Sequence, residues 1–359
     1  MALASRGLYT TSPNPRVGCV LVKDGQVVAE GWHERAGGAH AEVMALSRAQ
    51  EKAKGSTCYI TLEPCIHEGR TPPCAPELIL AKVTRVVVAA QDPDPRVAGG
   101  GLSFLRQKGI HLTVGLLQEE ARALNEGFFF RHERGRPFVR AKIGQSLDGR
   151  VALANGQSRW ITCEEARVDA HHFRACSCAI MTGVGTVLAD DPSFDVRHLR
   201  AGREPLRVVV DSSLRTPWNA KVARPGTIFA SALPSRHPRA KALVDRGAQV
   251  WEVGGQGGQV DLPSLFSRLA LLPVNEILLE AGPILLGACL QECLVDELLI
   301  YQAPKLLGDG ARPMAVLGEV ERLADTQAFF LLETTPLGQN IRLRARTSTC
   351  LPASSPISG

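Results

Sequence analysis

Two short stretches rich in apolar and β-branched residues, 17–23 (VGCVLVK) and 27–32 (VVAEGW), read as strands, and Asp24-Gly25 between them is a turn pair that closes a hairpin. After them the period changes. From His40 the apolar residues Val43, Met44 and Leu46 recur at helical spacing, and residues 57–62 form an apolar strand running into Pro64-Cys65. A helix over 75–81, a strand over 85–90, a short helix over 102–108 and a strand over 111–114 follow. Alternating strands and helices predict a three-layer α/β domain with a largely parallel sheet, its chemistry at strand ends and helix starts. Residues 2–7 read as the end of a short helix, and 116–130 as a longer one. The charged stretch 131–137 (RHERGRP) reads as a linker to a fresh strand at 138–143.

The second half alternates again, with strands at 179–181, 206–211, 227–230, 249–253, 276–280 and 297–303 and helices at 164–176, 238–246, 262–271 and 284–292. This is a doubly wound pattern with an antiparallel tail. A chain of 359 residues exceeds what one core usually serves. The expected division is a first domain over 1–134 and a second over 135–347, with a disordered Pro- and Ser-containing tail over 348–359.

Apolar content of 45% and charged content of 21% are those of a globular protein, and the net charge of +5 is modest. No Lys/Arg run or aromatic-rich basic stretch calls for nucleic acid, so the excess is assigned to local sites for anionic ligands. The N-terminus lacks a signal-peptide apolar core and no stretch approaches the length of a membrane span, so a cytoplasmic location with no membrane partner is expected. In that reducing compartment the ten cysteines form no disulfide framework, and Cys176/Cys178 and Cys289/Cys293 read as small core residues.

Two other cysteines carry chemistry. Zinc prefers thiolate and imidazole, and a catalytic site uses three protein ligands with a fourth position open. His40, Cys65 and Cys74 supply three. Glu42, two residues after His40, can approach the open position and shuttle a proton from the activated water to a leaving amine. An H-x-E followed by Pro-Cys is the pattern of zinc deaminases, but here the second Cys follows after eight residues rather than two. The long loop CIHEGRTPPC therefore belongs to a different substrate from a nucleic acid. A structural zinc is the main rival and lacks a fourth ligand nearby.

Three further places stand out. Asn14, between two prolines, has a side chain free to bond a base or sugar, with an Asx turn as the alternative. Thr182-Gly183-Val184-Gly185-Thr186 and Glu280-Ala281-Gly282-Pro283 are glycine-containing turns where strands meet helices. Either touches a ligand or serves tight packing, and neither is a dinucleotide fingerprint.

The segments TTSPNPRVGCVLV, GWHERAGGAHAEVMAL, YITLEPCIHEGRTPPC, QDPDPRVAGGG, SLDGRVA, GVGTVLADDPSFDVR, EAGPILLGACL and DELLIYQAPKLLGDGA closely resemble the bacterial bifunctional riboflavin biosynthesis deaminase/reductases, the RibD family. The resemblance runs in order from about Thr10 to Arg346. It implies an α/β chain of two domains, a cytidine-deaminase-like α/β/α fold followed by a dihydrofolate-reductase-like α/β fold. The first would deaminate a diaminopyrimidine ribotide to the uracil; the second would use NADPH to reduce the product's ribose to ribityl.

Residue by residue, the resemblance makes His40, Cys65 and Cys74 the Zn2+ ligands and Glu42 the proton donor. Asn14, His33, His67 and Arg70 match deaminase substrate positions, and Asp94 stands where the family often carries Asn. In the reductase half Lys142, Ser158, Arg197 and Glu280 match substrate positions, with Lys142 and Asp190 steadying the open-chain sugar. NADPH positions are matched by Gly144, Trp160, Thr186, Asp190, Ser212 and the loop of Gly282, Pro283, Ile284, Leu285, Leu286, Gly287 and Ala288. The expected partners are small-molecule pyrimidine ribotides and further copies of the chain in a homo-oligomer. The alternatives are a deaminase whose second half has decayed into a regulatory module, against which GPILLGA and ADDP speak, a nucleic-acid-editing deaminase, and a non-catalytic zinc module.

Overall fold

In the computed structural model, which describes residues 1–68, 71–199 and 201–347, the chain forms two units, Met1–Arg136 with Ala201–Arg203, and the remainder from Pro137. The tail from 348 and Arg70 lie outside the described residues.

The first unit opens with α1 (Ala2–Ser5), β1 (Gly18–Lys23) and β2 (Gln26–Trp32). Asp24 and Gly25 both take positive φ, 51° and 74°, as the tight turn between twisted strands requires. Next come α2 (Ala41–Ala49), β3 (Thr57–Leu62), α3 (Ala75–Leu80), β4 (Arg85–Ala90), α4 (Gly100–Gln107), β5 (His111–Val114), α5 (Gln118–Leu124) and α6 (Glu126–Arg134). The sheet order is β2-β1-β3-β4-β5. β3, β4 and β5 are parallel, whereas β1 is antiparallel to both neighbours, so the sheet is mixed rather than largely parallel. The two-residue turn forces β2 to reverse, and α2 then carries the chain across β1 to β3.

Helices cover both faces. Ala41, Ala45, Leu78 and Leu105 pack with Cys19, Ile60 and Val86 on one side, and Ala121, Phe128 and Phe129 with Leu62 and Ala89 on the other. The expected single helix over 116–130 is broken at Asn125. That buried side chain accepts from the Arg16 backbone N at 2.7 Å and donates to the Arg16 carbonyl at 2.9 Å, a clasp that outweighs helix continuity. The stretch read as a linker is largely helical as far as Arg134. Its Arg131, His132 and Arg134 fill the last turn, where cations meet the negative end of the helix dipole.

The second unit contains β6 (Phe138–Ser146), β7 (Arg150–Ala152), α7 (Glu164–Cys176), β8 (Ala179–Gly183), α8 (Val184–Asp190), β9 (Leu206–Val210), β10 (Thr227–Ser231), α9 (Pro238–Val244), β11 (Gln249–Glu252), α10 (Leu262–Leu271), β12 (Glu276–Leu279), α11 (Pro283–Gln291), β13 (Glu297–Ala303), β14 (Arg312–Pro313), β15 (Phe329–Leu337) and β16 (Asn340–Thr347). One large sheet runs β11-β10-β9-β8-β12-β6-β13-β16-β15, parallel as far as β13 and antiparallel beyond it. α10 and α11 cover one face with Leu265, Phe266 and Leu286, while α7, α8 and α9 cover the other. Two expectations change here. The glycine-rich 182–186 segment is no free turn, because α8 starts directly at Val184. Cys293 is exposed rather than part of the core, while Cys176 and Cys289 are buried as expected.

Gly31 sets how closely α2 lies on the sheet. A Cβ there would stand 2.3 Å from the Ala41 carbonyl oxygen and 2.5 Å from the Ala45 nitrogen, both backbone atoms that cannot swing aside. Gly31→Val is expected to push away the helix that begins beside His40 and carries Glu42. It should cost about 1–3 kcal/mol in urea unfolding and lower the zinc content of the purified protein; unchanged stability and zinc would show that the contact is not limiting.

Candidate active sites

Three segments of the first unit converge. His40 is the residue before α2, Cys65 lies just past β3, and Cys74 precedes α3. Helix starts favour anionic sulfur, and the apolar strand drives Cys65 inward. The His40, Cys65 and Cys74 ligand atoms all lie within 4.8 Å of one another. Cys65 Sγ is 3.5 Å from both His40 Nδ1 and Cys74 Sγ. Tetrahedral zinc with bonds of about 2.3 Å to sulfur and about 2.0 Å to nitrogen needs ligand atoms about 3.5 Å apart, so the set fits the metal.

The surroundings hold these groups in place. Cys65 N donates to Cys74 Sγ at 3.2 Å, and Ala75 N donates to the Cys65 carbonyl at 3.1 Å. Hydrogen bonding from Cys74, with help from His40, holds the Cys65 thiol down to about 4, although burial opposes it. Glu42 is buried, and its Oε1 accepts from Cys74 Sγ at 2.9 Å. Burial pushes the Glu42 carboxyl up, while the Cys74 hydrogen bond and His40 pull it back. A carboxyl raised by burial can hold a proton that an exposed one would lose.

Two side chains without a sequence motif support the ligands. Thr71 Oγ1 is 3.0 Å from His40 Nε2, which leaves Nδ1 for a metal. Glu63, buried beside Pro64, accepts from the backbone N of Asp92, Gly99 and Leu102, tying the 92–102 segment to the end of β3. Their only signal was position, on the long loop and next to Pro64-Cys65.

Asn14 is not free: its Nδ2 lies 3.1 Å from His33 Nε2, and its backbone N donates to the Thr11 carbonyl. His33 is buried, with Nδ1 3.0 Å from the Ala39 carbonyl, so Asn14 and His33 brace the residue preceding His40. The two rings stand perpendicular, 5.8 Å apart. Burial lowers the His33 pKa, which favours the neutral ring this pairing requires. His67 is half-buried, and its Nδ1 has no partner among the described residues. Asp94 is turned to Arg96, whose Nε donates to both carboxylate oxygens at 3.0 and 3.1 Å.

In the second unit, β12 and β6 run parallel with Leu279 beside Ala141, which brings Glu280 alongside Lys142. Arg174 on α7 grips both oxygens of Glu280, at 2.8 Å from Nη2 to Oε2. Burial would raise the Glu280 carboxyl, yet Arg174, Lys142 and His171 together hold it at about 2. Burial lowers the Lys142 ammonium and Glu280 restores part of the loss. Arg197 contributes its backbone N to His171 Nδ1 at 3.0 Å, and its side chain is exposed. Ser158 is half-buried in the segment after β7.

The positions expected to meet NADPH divide. β8 and β12 are adjacent and lead into α8 and α11; a Cβ on Gly282 would meet Thr186 Oγ1 at 3.9 Å, and Gly185 faces open space. Backbone N–H groups at such starts suit a pyrophosphate, so this edge fits the cofactor. Gly144 lies near Thr162 and Lys142, and Trp160 is 63% exposed with the Arg167 guanidinium over its ring. Asp190 is ion-paired with Arg159 at 3.2 Å. The segment Gly282–Ala288 is not a loop: Gly282 caps α11, and Pro283 onward is helical. Leu286 is buried in the core and a Cβ on Gly287 would strike the Val316 carbonyl, so these two face packing, whereas Ile284 is 80% exposed. Arg174 and His171, ordinary helix residues in the sequence, were not anticipated.

The RibD C-terminal domain model matches residues 137–340, and the cytidine and deoxycytidylate deaminase zinc-binding region matches residues 1–90. The chain is 47% identical to the riboflavin biosynthesis protein RibD of Escherichia coli strain K12 over 96% of each chain. To that of Haemophilus influenzae it is 45% identical, over 95% of this chain and 94% of the other. Among solved structures it is similar to Acinetobacter baumannii RibD, form 1, with a TM-score of 0.90 and 43% identity, over 97% of this chain and 96% of that one. It is also similar to a diaminohydroxyphosphoribosylaminopyrimidine deaminase/5-amino-6-(5-phosphoribosylamino)uracil reductase from Thermotoga maritima, with a TM-score of 0.82 and 29% identity over 96% of both chains. Among the described residues no helix is long and apolar enough to cross a membrane.

Removing the Thr71 hydroxyl frees the His40 ring. Thr71→Val is expected to weaken zinc binding by about 10- to 100-fold in competition with a chelator; an unaltered affinity would deny Thr71 that orienting part.

Proposed function

We infer the roles of individual side chains from one premise: the chain belongs to the RibD family of riboflavin biosynthesis proteins. It is a bifunctional enzyme, a zinc-dependent deaminase followed by an NADPH-dependent reductase. The observation that carries the deaminase assignment is the His40, Cys65 and Cys74 cluster with the buried Glu42 against it. The division of labour falls at residue 134, with deamination in 1–134 and reduction in 135–347.

His40, Cys65 and Cys74 hold the zinc, which when bound supplies the Lewis acidity that makes water nucleophilic at neutral pH. Glu42 takes the proton released from that water and delivers it to the amino group leaving the pyrimidine as ammonia. The substrate is 2,5-diamino-6-(5-phosphoribosylamino)pyrimidin-4-one. Asn14 and His33 form one wall of its site, and His67 and Arg70, on the long loop between Cys65 and Cys74, are assigned to its ribose and phosphate. In the second half NADPH would supply the hydride that reduces the open-chain form of the ribose of the uracil product to ribityl. Lys142, Ser158, Arg197 and Glu280 position that ribotide, with Lys142 and Asp190 steadying the open-chain sugar. Gly144, Trp160, Thr186, Asp190, Ser212 and the first turn of α11 hold the cofactor. We place the enzyme in the cytoplasm as a homo-oligomer.

Glu42→Gln keeps the shape of the site and removes its proton carrier. Ammonia release should fall by at least about 100-fold with zinc still bound, and full activity with zinc present would refute the assignment. Glu280→Gln should depress reduction of the supplied uracil ribotide while ammonia release continues; equal loss of both steps would remove its specific role.

A further inference from the structure

Outside the two sites, a cavity of about 370 Å3 opens in the second unit, lined in part by Leu214, Arg215, Pro217, Trp218, Arg239 and Ala242. Its chemistry is specific. Two guanidinium groups and an indole surround an apolar floor, and no carboxylate is among the lining residues. Trp218 is 60% exposed, so its ring offers a face on which an aromatic group can stack. The turn beneath is stiff: the buried Asp211 accepts from the backbone N of Arg215 and Thr216 and from the Thr216 hydroxyl. Arg239 is tied to the same turn by a bond from Nη1 to the Ser213 carbonyl at 3.1 Å.

The cavity's place on the sheet gives it meaning. It follows the C-terminal end of β9, and β6, β12, β8 and β9 are successive neighbours. Lys142 and Gly144 lie on β6, Glu280 and Gly282 follow β12, and Thr186 follows β8. Three strand spacings of about 4.8 Å make a span of roughly 14 Å along that edge, comparable to an extended dinucleotide. Ligands of open α/β sheets lie along the carboxyl ends of the strands. Ser212, the neighbouring residue expected to meet the cofactor, has its hydroxyl engaged on both sides, by Gln259 Oε1 at 3.1 Å and Val260 N at 3.2 Å. A satisfied hydroxyl does not select a dianion; a guanidinium fork does.

We propose that Arg215 and Arg239 bind the 2′-phosphate of NADPH, with the adenine stacked on Trp218, and that this cavity is what makes the second unit prefer NADPH to NADH. The proposal rests on the reductase reading above. The ligand chemistry is a phosphate monoester on a ribose, which the ribotide substrate also carries; the aromatic platform and the distance along the edge from Glu280 favour the cofactor.

The test measures dissociation constants of full-length protein for NADPH, NADH, adenosine 2′,5′-bisphosphate and ADP by calorimetry, for the parent chain and for Arg215→Gln, Arg239→Gln and the double variant. Both arginines are exposed, and a thermal melt checks that each variant is folded. The NADH/NADPH ratio of dissociation constants should fall on the order of tenfold to a hundredfold, through weaker NADPH binding with NADH little changed. The bisphosphate should quench indole emission in the parent and lose that quench in Trp218→Phe. A ratio unchanged in the double variant overturns the proposal, including the case where only KM for the ribotide rises, which would assign the arginines to the substrate. A parent chain that binds neither dinucleotide instead removes the reductase reading, and this proposal with it.

Discussion

The first unit depends on a balance of buried charge. Glu42 and Cys74 are almost sealed from water, Cys65 is nearly so, and the imidazole of His40 sits against them. Burying such groups costs several kcal/mol each unless they are paired. Cys74 pairs with Glu42, and Cys65 with both Cys74 and His40. The packing of Gly31 under α2, the Asn14–His33 brace and the Glu63 clasp all serve to keep four costly groups together.

The second unit meets a similar burden differently. Glu280, just past β12, and Lys142, midway along the neighbouring β6, are half-buried, and Arg174 supplies the compensating charge from α7. Side-chain ions are therefore matched within the protein before any ligand arrives. What is left open beside this pair is mainly backbone: the starts of α8 and α11, where partial positive charge accumulates. A cofactor bearing phosphates fits that remainder, while a sugar with hydroxyls fits the fixed Lys142–Glu280 pair.

Much of this was legible in the sequence because it was local. Thr57–Leu62, His111–Val114, Glu164–Cys176, Leu262–Leu271 and Glu297–Ala303 occupy the expected positions, since each is a clean apolar run or a clean helical period. The His40, Cys65 and Cys74 set could be read because ligand chemistry restricts residue type. What escaped depends on contacts distant in sequence: the break at Asn125 needs Arg16, more than a hundred positions earlier. The role of Arg174 needs Glu280, and the β15–β16 hairpin needs a partner in β13 to become a sheet edge. The Gly282–Ala288 segment misled for a different reason. Its glycines resemble a phosphate loop, but Gly287 is there to let α11 approach Val316.

Asp94 illustrates how a change of residue can alter charge while sparing shape. An Asn at this place would keep the turn, which needs only an oxygen to accept from the Arg96 backbone N, at 3.0 Å. Either side chain offers one. The carboxylate also draws the Arg96 side chain onto itself, and that hydrogen bonding holds its own pKa at about 2, so the pair is neutral across the physiological range. With Asn the same turn would present an unpaired guanidinium. Asp at this place thus lowers the positive charge of the turn by about one relative to Asn.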